Sequence, residues 1–500
     1  MAGNAETTPP RVAARTVAGV GWMVAMRLSA RALDFVALLV LARILTPLDF
    51  GLVALAMSLI YIVEALLELP LNQVLMQLNE ITSAHLDTAF TLGLLRGLIV
   101  AAVLAAIALP FSYAYHDPRL FPLIAVLSLA PAARGLGSPG LAIYSQEGLF
   151  GRDFVIELSG KLTATVLSVT LAATTGSYWA LAAGTICAPV MSAMTSYVIA
   201  PARVRLSLAG WRDFSGFIGW TTGAQVLVAL NWQADRLIMG RTLPTATVGR
   251  YAMASDLSYL PDQMLLKPIA RPVMAGLVRV RHDRERLRTA YSRVNRACLT
   301  MALPIAIVLA TLASPLLRIV LGEKWAGAGP LLTVLALSTI GGMISAPLNS
   351  LALALGRPSV MLKRSFAEAG VKLPILVVGL PMFGIAGALT ARAASSAMIA
   401  AVSILLAHRL IGFGLRRQLL DLWRPVAAVL PMTAVNLAAL PILADEHGLR
   451  LVLGVGLAGG LGGVAYAGTL LVLAALLGAK GGMAEEFALR LLSRRRAAAD

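Results

Sequence analysis

The sequence predicts an all-α polytopic membrane protein. Apolar runs of roughly 20 residues follow one another along the whole chain, charged residues are scarce, and the runs are continuous rather than alternating. Of 500 residues, 58% are hydrophobic and 13% charged, and the mean hydropathy is +0.80. A soluble chain would carry close to 25% charge. About 20 apolar residues in a helix cover the ~30 Å hydrocarbon core. Lipid cannot hydrogen-bond an exposed backbone, so only helices or a closed barrel can span it. Barrel strands alternate in polarity over about ten residues, and these runs do not.

Fourteen transmembrane helices are predicted, over 17–41, 51–72, 88–110, 120–144, 155–175, 178–200, 214–238, 250–272, 297–320, 330–354, 366–382, 385–407, 425–443 and 450–477. They divide the chain into a tail (1–16), a first lobe (17–200), a linker (201–213), a second lobe (214–410), two further helices (425–477) and a second tail (478–500). Pro9, Pro10, Arg11 and Arg15 precede the first span, and Arg27, Arg31 and Asp34 interrupt it. A signal-peptide core would not tolerate such charges, so no cleaved leader is expected. Cys187 and Cys298 lie in or beside apolar runs, and His85, His116, His282, His408 and His447 lack ligand spacing. Neither a disulfide framework nor a metal site is expected.

The net charge of +17 has a topological explanation. An even number of spans puts both termini on one side. If that side is the cytoplasm, the inner loops hold Arg203, Arg205 and Arg212, the basic 276–296 run, and Arg409, Arg416 and Arg417. This is the positive-inside bias of a bacterial inner-membrane protein, and it needs no nucleic acid. The Arg279–Arg296 run reads as a solvated cytoplasmic loop that touches anionic membrane lipids.

An internal repeat gives the architecture. Shifted by 198 residues without gaps, 21–70 align with 219–268, and twelve of fifty positions are identical. They include Trp22/Trp220, Arg43/Arg241, Gly51/Gly249, Tyr61/Tyr259 and Pro70/Pro268, and Glu64 meets Asp262. With a shift of 211, Glu157 and Lys161 fall on Glu368 and Lys372. Spans 1–6 and 7–12 therefore read as two parallel-repeat six-helix lobes. Parallel repeats are a transporter architecture with the substrate site between the halves.

The stretch Leu41-Ala42-Arg43-Ile44-Leu45-Thr46-Pro47-Leu48-Asp49-Phe50-Gly51-Leu52-Val53-Ala54 resembles the first loop of Wzx-type polysaccharide exporters. The second half agrees, with Asp235-Arg236-Leu237-Ile238, Gly249-Arg250-Tyr251, Leu321-Gly322-Glu323-Lys324-Trp325 and Gly356-Arg357-Pro358. Each motif is weak alone; their order and spacing from about 15 to 410 are specific. These exporters are flippases of the multidrug/oligosaccharidyl-lipid/polysaccharide superfamily. The resemblance implies a MATE-like fold of fourteen helices and export of undecaprenyl-diphosphate-linked oligosaccharide repeat units for lipopolysaccharide, capsule or exopolysaccharide biosynthesis. A polysaccharide polymerase or ligase would then be a partner.

A charge at mid-bilayer costs about 2.5–3.5 kcal/mol on insertion scales, so ionisable residues inside spans are functional candidates. Arg27, Arg31 and Asp34 share one face of the first span; Arg96 and Arg134 lie in the third and fourth. Lys267 and Arg271 are one turn apart, beside Pro268 and Pro272, where a helix break is expected. A cationic cavity suits a diphosphate-bearing substrate, because the guanidinium fork holds phosphate oxygens bidentately. The competing reading is that Arg27 snorkels to the interface, that Arg31 neutralises Asp34, and that Lys267 and Arg271 lie at the inner interface.

The pairs Glu157–Lys161 and Glu368–Lys372 have the favourable i, i+4 order for structural ion pairs. Glu64, Glu68, Asp256 and Asp262 divide evenly between two readings. They are carriers for coupling to a proton or sodium gradient, which needs a carboxylate whose pKa burial can raise, or they are helix-end carboxylates at an interface. Gly454-Val455-Gly456-Leu457-Ala458-Gly459 has no strand before it and reads as small-residue packing rather than a dinucleotide loop. No cofactor is expected. A multidrug exporter would favour carboxylates over arginines in its cavity; a lipid II flippase fits as an alternative. A membrane glycosyltransferase or polymerase would want larger outer loops, so the chain is not expected to be an enzyme.

Overall fold

The computed structural model describes residues 29–30, 32–78, 80–146, 151–215 and 218–477. Helix α1 (32–44) leads into α2 (Pro47–Leu66), α3 (Leu71–Gln77), α4 (Ser83–Tyr115), α5 (Leu120–Leu127), α6 (Leu129–Gly135) and α7 (Leu141–Gln146). Then follow α8 (Gly151–Thr175), α9 (Trp179–Ile199), α10 (Trp211–Ser215), α11 (Ile218–Thr242) and α12 (Thr245–Ser258). A π-helical turn (Asp262–Leu266) opens α13 (Lys267–Arg279), followed by α14 (Arg284–Thr311) and α15 (Ala313–Val320). A short 3₁₀ turn precedes α16 (Gly329–Ala354), and α17 (Ser359–Phe383), α18 (Ile385–Ile411), α19 (Leu415–Ala444) and α20 (Gly448–Leu477) complete the chain.

Among the described residues ten helices are long and apolar enough to cross a membrane. Of the other predicted spans, the first lies outside the described residues up to 28 and its described part falls on α1; the rest fall on the α5–α7 segment, on α11, and on α12 with α13. The span expected at 120–144 is broken into three short helices. Pro131 has no N–H to donate, and it sits in the first turn of α6, where none is needed. Gly135 approaches Gly93 so closely that an added Cβ would lie 2.5 Å from the Gly93 carbonyl oxygen. The small Gly93-x-x-x-Gly97 face of α4 admits this crossing.

The structure also changes the reading of the basic 276–296 run: its second half is helical rather than loop. Asp283 caps α14 by accepting from the amides of Glu285 and Arg286. Leu287, Tyr291, Asn295, Leu299 and Ala302 are buried at helical spacing, so the core-facing stripe begins within the basic segment. The 201–213 linker is tied to α4. The amides of Arg205, Ser207 and Gly210 donate to Asp87, Thr91 and Thr88 at 2.8, 3.0 and 3.0 Å.

The described chain forms two compact units. One comprises the residues up to Leu45 with Ala56–Ala229; the other comprises Thr46–Leu55 with the residues from Leu230 onward. Within the second unit, the start of α2 meets the start of α12. Thr46 and Asp49 form the N-terminal cap of α2, with the Thr46 hydroxyl donating to Asp49 Oδ2 at 2.6 Å and Pro47 at the first helical position. One turn on, a Cβ at Gly51 would lie 2.0 Å from the Thr245 carbonyl oxygen, and one at Gly249 only 1.8 Å from that of Pro47. Pro47 and Thr245 are themselves 198 positions apart. The contact is reciprocal under the sequence repeat, and only glycine permits it.

Candidate functional site

The most deeply buried charges belong to the second unit. Lys372 on α17 is 1% exposed and Asp235 on α11 is 4% exposed; their side chains pair at 2.7 Å. Lys372 also donates to the Asn231 carbonyl oxygen at 2.5 Å. The Tyr251 hydroxyl on α12 donates to Asp235 Oδ2 at 2.8 Å, and Arg392 on α18 approaches the same oxygen at 4.0 Å. Taking a charge out of water costs several kcal/mol per ion. Here one carboxylate offsets that cost for the ammonium while a phenol and a guanidinium engage its second oxygen. Lys372 thus turns to Asp235 rather than to Glu368, four residues before it.

Beside this network lies a cavity of about 350 Å³. Four predicted residues line it: Lys267, Arg271, Asp262 and Glu368. The break expected around Pro268 takes the form of the π-helical turn Asp262–Leu266, and such turns recur at functional sites. Lys267 pairs loosely with Asp262 at 3.9 Å, with its side chain 60% exposed, so solvent screens the attraction.

Two further cations on the wall, Arg364 and Arg392, escaped the sequence reading. A span that begins at 366 leaves Arg364 in an inner loop, whereas α17 begins at Ser359. Arg392 stands inside a predicted span, and the cost of a charge there was the signal that could have found it. Arg364 donates to Ser345 at 2.8 Å, and Arg392 lies over the Tyr259 ring, 5.1 Å from its centroid. Asp256 lines no part of this cavity and pairs with Arg236 at 2.6 Å.

In the first unit, Arg96 and Arg134 hold the end of α2. Arg96 Nε donates to the Leu67 carbonyl oxygen at 2.8 Å, and its Nη2 reaches Glu68 at 2.5 Å. Arg134 pairs with Glu64 at 2.6 Å. Cations beside the last carbonyls of a helix complement its dipole. Lys161 joins two carboxylates, Glu157 on its own helix at 3.1 Å and Asp34 on α1 at 2.7 Å. Arg27 and Arg31 lie outside the described residues. Among the described residues no group of three or more His, Cys, Asp or Glu side chains is placed to hold a metal ion.

These features define a multi-span helical membrane protein with a charged internal cavity, and its fold is shared with solved transporters. The lipid II flippase MurJ in an inward closed conformation superposes with a TM-score of 0.71 at 12% identity, covering 91% of this chain and 99% of the other. An inward-facing multidrug resistance MATE family transporter of the MOP superfamily gives 0.57 at 14% identity, over 79% and 99%. The chain belongs to the polysaccharide biosynthesis protein family, whose model matches residues 40–330. It is 24% identical over 445 residues to the lipopolysaccharide biosynthesis protein WzxC of Escherichia coli K12, covering 85% of this chain and 87% of that one. It is 27% identical over 335 residues to the succinoglycan biosynthesis transport protein ExoT of Rhizobium meliloti, covering 66% and 67%. The resemblance carried by the Leu41–Ala54 stretch and the second-half motifs is thereby confirmed.

Proposed function

We propose that this chain is a flippase that carries undecaprenyl-diphosphate-linked oligosaccharide repeat units across the bacterial inner membrane by alternating access, with both termini in the cytoplasm. The observation that carries this reading is the second-unit cavity, lined by Lys267, Arg271, Arg364 and Arg392, in a member of a polysaccharide biosynthesis family. Four cations against Asp262 and Glu368 favour an anionic cargo over cationic drugs. Guanidinium groups recognise phosphate through paired donors, and a low-dielectric wall strengthens that attraction.

The chain acts as a transporter and performs no covalent step; a polymerase or ligase uses the delivered units on the far side. Transport is coupled to a proton or sodium gradient. Of the predicted carriers, Glu64, Glu68 and Asp256 are engaged by arginines and Asp262 loosely by Lys267, so coupling would require one of these pairs to part. The test is a deletion strain lacking any second flippase, with lipid-linked repeat units measured by leaflet. Accumulation in the inner leaflet, relieved by restoring the gene, is expected. Normal outer-leaflet repeat units in the deletion strain would sink the proposal.

A further inference from the structure

The second-unit cavity is more than a cationic pocket. Its wall carries an aromatic pair, Trp232 and Tyr259, with ring centroids 4.6 Å apart and planes tilted by 38°. Trp232 is 48% exposed, so a face of the indole remains open. Arg392 lies on Tyr259. Around this platform stand polar atoms that the protein leaves unpaired. Asn231 is 5% exposed, and its Oδ1 is buried without a hydrogen-bond partner, as are Asn349 Oδ1 and Arg364 Nε. All of these residues line the cavity.

Unpaired buried polar atoms cost about 1–3 kcal/mol each, and these three belong to wall side chains that a ligand's polar groups can satisfy once the amide or guanidinium turns toward it. The mixture identifies the ligand. A diphosphate offers only acceptors, so it can meet the cations of this wall but leaves the two amide oxygens unpaired. A pyranose offers hydroxyls that both donate and accept, and one face of C–H groups that suits the electron-rich face of an indole. The volume lies at the lower end of the small-ligand range of about 300–1,000 Å³, which fits a short saccharide rather than a lipid tail.

We propose that this cavity contains a saccharide subsite: Trp232 and Tyr259 seat a sugar ring, and Asn231, Asn349 and Arg364 read its hydroxyls. Lys267, Arg271 and Arg392 of the same wall are left to the diphosphate. This inference rests on the transport reading and narrows it. The platform is particular to the second half, since the 198-residue register puts Asp34 where Trp232 stands, although Tyr61 matches Tyr259.

The test measures binding to the full-length protein in lipid nanodiscs. The probes are undecaprenyl diphosphate and its glucose-, galactose- and N-acetylglucosamine-linked forms. At least one glycosylated lipid should bind about tenfold more tightly than undecaprenyl diphosphate, as expected for one stacked ring. Trp232→Ala and Asn231→Leu should each remove that preference and leave undecaprenyl diphosphate binding unchanged, and Trp232→Tyr should restore most of it. Equal weakening of all the lipids by Trp232→Ala would assign the aromatic platform to the part that the lipids share and overturn the proposal. Absence of any preference in the unaltered protein would overturn it too. The leaflet measurement on the deletion strain separates the two readings. If the gene proves dispensable for outer-leaflet delivery, the transport reading fails; if it is required while Trp232→Ala alters nothing, only the sugar subsite fails.

Discussion

Lys372 meets Asp235 at 2.7 Å with both side chains withdrawn from water, and Lys161 meets Asp34 at 2.7 Å in the other half of the repeat. Each lysine ties the fifth predicted span of its half, α8 or α17, to the first, α1 or α11. The register is offset: Lys161 falls on Lys372, but Asp34 falls on Trp232, three residues before Asp235. Three residues is close to one helical turn, so both aspartates sit on the same face.

The two pairs should differ in energy. Lys372→Met takes the ammonium from the buried Asp235 and leaves it the Tyr251 hydroxyl and a guanidinium 4.0 Å away, so the cost approaches that of breaking a buried ion pair, about 3–5 kcal/mol. The double variant Lys372→Met/Asp235→Leu should recover much of that loss. Breaking the half-exposed first pair with Asp34→Asn should cost about 0–1 kcal/mol, because solvent screens it. Thermal unfolding of the purified protein in detergent checks all three, and similar losses from Lys372→Met and Asp34→Asn would contradict the burial contrast.

Gly51 and Gly249 should tolerate no side chain. A methyl group at either position falls about 2 Å from a backbone carbonyl oxygen, which cannot rotate away as a side chain would. Overpacking typically costs about 1–3 kcal/mol, occasionally more, and here backbone meets backbone. Gly249→Ala should sharply reduce the yield of monodisperse protein, read by size-exclusion chromatography, whereas Gly276→Ala, with open space around it, should not.

Arg364→Ala should lower export about tenfold or more while membrane insertion stays normal. Burying one guanidinium donor beside a ligand is worth about 1.5–3 kcal/mol. Arg286 is 79% exposed at its side chain and pairs with Asp283, so Arg286→Ala serves as the control and should export normally. The readout is surface polysaccharide per cell, with protein level fixed by immunoblot.

Arg96→Lys should not rescue the end of α2. The guanidinium holds a carbonyl through Nε and a carboxylate through Nη2, and an ammonium cannot copy that fork. A stability loss of about 1–2 kcal/mol is expected, since half-exposed Glu68 is screened. Denaturant unfolding monitored by circular dichroism gives the value.

Much of this was legible in the sequence. Continuous apolar runs fix the helical membrane class, and the matched Gly51 and Gly249 forecast a duplication that the structure displays as a reciprocal contact. The Thr46-Pro47-Leu48-Asp49 motif is legible as a helix start. What was hidden depends on partners distant in sequence. Glu368 lies four residues before Lys372 and looks like its mate, yet Asp235, 137 positions earlier, offers the better-satisfied carboxylate. Arg364 was concealed by a span boundary drawn from hydropathy, because α17 runs a turn and more beyond its apolar stretch. Trp232 carries no signal of its own, since an aromatic in an apolar span is ordinary until its neighbours are known.

The glycine contact carries an evolutionary consequence. Pro47 touches Gly249 as Thr245 touches Gly51, so the same patch serves on both sides. Such a self-complementary surface is what a two-fold homodimer uses, with residue i meeting j and j meeting i. An ancestor of half this length could have assembled with a copy of itself through this helix start. Fusion of the two copies would then have freed one to keep an aspartate at position 34 while the other acquired a tryptophan at 232.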